Sequence, residues 1–159
     1  MADTVTRALF AAALLLAACD PEPEPLPDAR VELAASTAGG LAPMADGSAI
    51  PIVFGSQGGY HFDVGVRIYG VDPDGARLRY EVWDTDGSRA YHADATYALR
   101  AGRFHHVGDH LERTGDRAFL DIADATELAG RTIDVLAILE LADGTRFEDV
   151  RTVTAAAPD

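Results

Sequence analysis

Between residues 60 and 154 apolar and polar side chains alternate in a series of short runs. Phe62, Val64, Val66 and Ile68 interleave with His61, Asp63, Gly65 and Arg67, a period of two that predicts a strand with one apolar and one polar face. Leu78, Tyr80 and Val82 repeat the pattern against Arg79, Glu81 and Trp83. Ile133, Val135, Ala137, Leu139 and Leu141 do so again, and Leu136 and Ile138 on the opposite face predict a central strand covered on both sides. Further strands are expected over 30–34, 50–54, 90–99, 104–107, 118–122 and 147–154. Asp74-Gly75, Asp86-Gly87 and Asp143-Gly144 each separate two such runs, and Asp-Gly is favoured where a tight hairpin needs positive φ. They are expected to be antiparallel links.

Only 124–129 reads as helical, and one short turn cannot cover a sheet. The sheet faces must therefore cover each other, which predicts an all-β, antiparallel β-sandwich. Leu128-Ala129-Gly130, the strand after it, Ala142-Asp143-Gly144 and the last strand together resemble the final hairpin of immunoglobulin-like and fibronectin-like domains. The resemblance spans about a quarter of the domain and lacks the paired cysteines of antibody domains. It implies an immunoglobulin-like sandwich, with Trp83 as the buried tryptophan of its core.

The first residues follow another logic. From Ala8 to Ala18 every side chain is apolar, a run of eleven that suits an export signal and is too short to span a bilayer. The run ends in Leu16-Ala17-Ala18-Cys19, which resembles the lipobox of prokaryotic membrane lipoproteins: a branched apolar residue, two small residues, then cysteine. The resemblance implies that residues 1–18 are a cleaved signal peptide and that Cys19 carries a diacylglycerol and an N-acyl chain. Small residues at 17 and 18 suit a peptidase with a narrow pocket.

Asp20 to Pro27 alternates proline with acids and cannot enter a helix or a sheet interior, so residues 19–28 are expected to form an extended tether. Residues 29–159 are then a single β-sandwich domain. Asp20 directly after the acylated cysteine resembles the signal that retains enteric lipoproteins in the inner membrane. It implies an inner-membrane protein facing the periplasm, with the outer membrane as the alternative.

Charge narrows the partners. The chain carries 26 acidic residues against 13 basic ones, all arginine, for a net charge of −13. Nucleic acid and anionic lipid surfaces demand basic patches, so neither is an expected partner. Cys19 is the only cysteine, so no internal disulfide can form and packing must hold the domain.

Catalytic patterns are missing. Ser56, in Gly55-Ser56-Gln57-Gly58-Gly59, and Ser88 lack nucleophile-elbow spacing, and the same glycines lack the lysine of a phosphate loop. Asp72-Pro73-Asp74-Gly75 and Asp84-Thr85-Asp86-Gly87 open like calcium loops without completing one. Histidine is the remaining signal. His105, His106 and His110 fall within six residues, while His61 and His92 lie on polar faces of other predicted strands. On a strand His105 and His106 point to opposite faces, so one of them, with His110 from the following loop and His61 or His92, is the set that would bind zinc or copper. The leading expectation is a lipid-anchored, non-catalytic domain that binds a protein or glycan of the cell envelope. Metal binding by the 105–110 region is the alternative.

Overall fold

The computed structural model describes residues 28–158. The expected signal peptide, Cys19 and the tether through Pro27 lie outside the described residues. Eleven strands form: β1 (Arg30–Thr37), β2 (Gly40–Pro43), β3 (Ala49–Pro51), β4 (Val53–Phe54), β5 (Tyr60–Tyr69), β6 (Arg77–Asp84), β7 (Thr96–Ala98), β8 (His105–Val107), β9 (His110–Leu120), β10 (Thr132–Glu140) and β11 (Arg146–Ala156). They make two sheets, β2-β1-β5-β9-β8 with β4 also on β5, and β3-β11-β10-β6-β7. All pairings are antiparallel except β3 with β11.

The all-β sandwich expected from alternation is what forms. Phe62, Val64, Val66 and Ile68 of the first sheet and Leu78, Tyr80, Val82, Ile133, Val135, Ala137 and Leu139 of the second meet in one buried core. Four strands in the order β1-β5-β9-β8 face three in the order β11-β10-β6, with β7 beyond β6. This is the ABED and GFC order of immunoglobulin-like sandwiches.

Several local expectations are corrected. The 50–54 run is two strands in different sheets: β3 lies on β11, β4 on β5, and Ile52 between them donates its N–H to the Ala156 carbonyl as the chain crosses over. Asp74-Gly75 is not a hairpin, because β5 and β6 belong to opposite sheets; it lies in the crossover between them. Asp143-Gly144 does join the paired β10 and β11, and after Asp86-Gly87 the chain turns back so that Ala90 bridges Trp83. Of the strand expected over 90–99 only β7 (Thr96–Ala98) forms, and ahead of it Tyr91 and His92 stitch the sheets together: the Tyr91 N–H donates to Val82 of β6, and His92 bridges Leu120 of β9. The helix expected at 124–129 is a single 3-10 turn, Ala125–Glu127, closed by a capping box between Asp124 and Glu127.

β10 is central, as expected, but among the described residues no third layer covers its outer face. Ile138 is nevertheless buried, between its cross-strand neighbours Arg79 and Glu148. Trp83 is not the core tryptophan. Its odd position in the β6 alternation puts it on the outer face, where its Nε1–H donates to Glu81 at 3.0 Å and its ring meets His92.

β9 is much longer than the 118–122 run predicts. Val66 pairs with Arg113 but Val64 pairs with Asp116, so β9 carries a bulge at Thr114-Gly115. The bulge turns Arg113 and Asp116 to the same inward side, where they form an ion pair at 2.7 Å and the Tyr80 hydroxyl donates to Asp116 at 2.9 Å. Burial and the Asp116 carboxylate together hold the Tyr80 phenol well above its ordinary range. Opposite the bulge is Gly65, where a Cβ would fall on the Arg113 carbonyl oxygen and a Leu41 methyl.

Candidate functional site beside Gly70

β1 and β9 run antiparallel to β5, which brings Arg30, Tyr69 and His110 to the same end of the first sheet. The domain starts there, with the backbone of Asp28 and Ala29 against Gly70. Beside Gly70 opens a cleft of about 610 Å³. Its floor is Ile68 with the partly buried Val71, Phe104 and Leu111, and its rim carries Asp72, His106 and Asp109, with the His110 ring turned to the other face of the sheet.

Local hydrogen bonds build the walls. Asp72 accepts from the Asp74 N–H, Asp74 accepts from the Ala101 N–H at 2.9 Å, and the Gly75 N–H donates to the Leu99 carbonyl. These tie the loop after β5 to the loop before β8. The far wall is the β8–β9 hairpin, in which Val107 pairs with His110 across a two-residue turn of Gly108 and Asp109. His110 is therefore the first residue of β9, not a loop residue as expected, because this turn is tighter than the sequence suggests.

The histidines divide as their strands dictate. His106 lines the cleft, while His105 pairs with Glu112 on the opposite face. His110 is stacked 4.9 Å from the Tyr69 ring, with Nδ1 3.1 Å from Asp109 and Nε2 3.4 Å from Glu112. The contact with His110 holds the Asp109 carboxyl below its usual range. Burial works against ionised Glu112, but hydrogen bonds from Arg67 and His110 outweigh it and lower that carboxyl as well.

His61 stands at the other end of β5, eight residues from Tyr69 and so about 25 Å along the strand. It is buried on the outer face against Phe119, with Nε2 3.2 Å from Asp63. His92 sits beside Trp83, its Nδ1 at 3.2 Å from the Val82 backbone. His61 and His92 thus do not join His105, His106 and His110. Among the described residues no group of three His, Cys, Asp or Glu side chains is placed to hold a metal ion.

The cleft presents an apolar floor with imidazole and carboxylate groups at its rim, an arrangement suited to holding a partly apolar ligand through polar contacts at its edge. Sequence reasoning found His106 and His110 but not Val71, Phe104 and Leu111. Phe104 lies in the expected 104–107 strand, and for Val71 the available signal was an apolar side chain among turn residues, where a solvated loop has no need of one. Comparison of the chain with protein-family models, with curated proteins and with solved structures returns no match.

Proposed function

We propose that this chain is a lipid-anchored protein of the bacterial cell envelope whose β-sandwich is a non-catalytic binding domain. The observation that carries the reading is Leu16-Ala17-Ala18-Cys19 at the end of an eleven-residue apolar run, followed by alternating proline and acid. An acylated Cys19 anchors the protein, residues 20–27 space the domain from the lipid, and the sandwich meets a protein or glycan of the envelope. The cleft beside Gly70 supports a binding role, since its walls are fixed by backbone hydrogen bonds and its floor is apolar. Asp20 favours retention in the inner membrane with the domain in the periplasm.

Metabolic labelling with radioactive palmitate in an expressing bacterium tests the anchor. The wild-type chain is expected to take up label and Cys19→Ser to take up none and accumulate as the longer precursor. Equal labelling of both would refute the reading.

A further inference from the structure

The outer face of β6, β10 and β11 holds a second feature, an open groove of about 330 Å³ that the cleft beside Gly70 does not reach. Three apolar side chains from three neighbouring strands share it: Trp83, Leu136 and Val150. Leu136 pairs directly with Val150, and Trp83 pairs with Asp134 in the next outward row. Val150 is 51 % exposed. One such residue on a solvated face is ordinary, but three lining a single groove make a continuous apolar strip.

The strip is bounded by carboxylates of one sign. Asp134 and Glu148 line the groove and no arginine does; Asp84 touches its end, but it pairs with inward Ile133 and its carboxylate accepts from the Tyr91 hydroxyl and faces Arg131. Glu148 pairs with Arg146, whereas Asp134 accepts from the Thr152 hydroxyl at 2.6 Å. An apolar strip with acid edges is complementary to side chains that carry a hydrocarbon stem and a cationic head. Lysine and arginine are such side chains: their stems cover apolar surface, their heads reach carboxylates, and a tryptophan ring attracts the cation. The net charge of −13 draws the same partner to the chain as a whole. We propose that this groove docks a basic polypeptide segment, a second binding surface distinct from the cleft.

Trp83 is the only tryptophan of the chain, so indole fluorescence reports on the groove directly. The full chain in non-ionic detergent would be titrated with hexalysine, and with hexaglutamate as the opposite charge. The expected result is a saturable change in Trp83 emission with hexalysine alone. Affinity should fall at least tenfold in Asp134→Asn/Glu148→Gln and in Val150→Arg, and stay within twofold in Asp72→Asn/Asp109→Asn at the cleft. Melting curves confirm that each variant is folded, and Val150→Arg, at an exposed position, is the variant that keeps the test decisive if the double variant is destabilised. No saturable change, or an equal loss in the cleft variant, would overturn the proposal, the latter by reducing binding to diffuse charge.

Discussion

Asp116 is the residue whose placement carries most risk for the domain, because a carboxylate 3 % exposed between two sheets has to be matched. Arg113 and the Tyr80 hydroxyl match it. Removing one member of a buried pair leaves an uncompensated charge, so Asp116→Ala is expected to cost about 3 kcal/mol in urea unfolding. Replacing the set with apolar groups, as Arg113→Met/Asp116→Leu/Tyr80→Phe, should recover most of that loss, and a triple variant no more stable than Asp116→Ala would contradict the assignment. His61 gives a pH signature. Burial lowers its pKa below the ordinary 6.5, against the opposing pull of the Asp63 carboxylate. As pH falls through 6.5 the unfolded chain takes up this proton before the folded chain does. The stability tied to neutral His61 is therefore complete above that pH and lost below it. Calorimetric Tm values measured at about pH 7.5 and about pH 5.5 should accordingly differ less in His61→Phe than in the wild type. The same pH dependence in both proteins would show that His61 is not the group responsible.

Strand β9 works through its bulge. Two residues three apart, Arg113 and Asp116, face the same side only because Thr114-Gly115 interrupts the pairing with β5. Gly65 makes room for that departure, so Gly65→Ala is expected to lower stability by about 2 kcal/mol, seen as a lower urea midpoint at unchanged slope. A variant as stable as wild type would mean that the bulge can shift at no cost. The same bulge explains what alternation could and could not reveal. β5, β6 and β10 were legible because their inward positions are uniformly apolar. The first half of β9 was not, since its inward positions include Arg113 and Asp116 and its period slips between them. Ile50 to Phe54 looked like one strand because both halves are apolar, and nothing local marks Ile52 as the point where the chain changes sheets. The outward position of Trp83 did follow from the alternation, whereas its place in the core was expected from resemblance, and the alternation held. At the cleft, His106 was visible as part of the histidine cluster. The apolar floor was not, since Val71 and Phe104 come from loops tied together by Asp74 while Ile68 and Leu111 belong to β5 and β9, and only the fold brings the four together.

At the scale of the whole molecule, one end of the sandwich holds Asp28 and Ala29 and carries the cleft, while the Trp83 groove lies on an outer sheet face toward the opposite end. Crossovers at Ile52 and at Tyr91-His92 tie the two sheets together on both margins. This polarity has functional meaning only if the chain is held by its amino end. Mass spectrometry of the protein extracted from the membranes of an expressing bacterium is the most direct measurement of that. The expected amino-terminal peptide begins at Cys19 and carries the added mass of a diacylglycerol and an N-acyl chain. A mature protein that retains any of residues 1–18, or that begins at an unmodified Cys19, would contradict the lipid anchor.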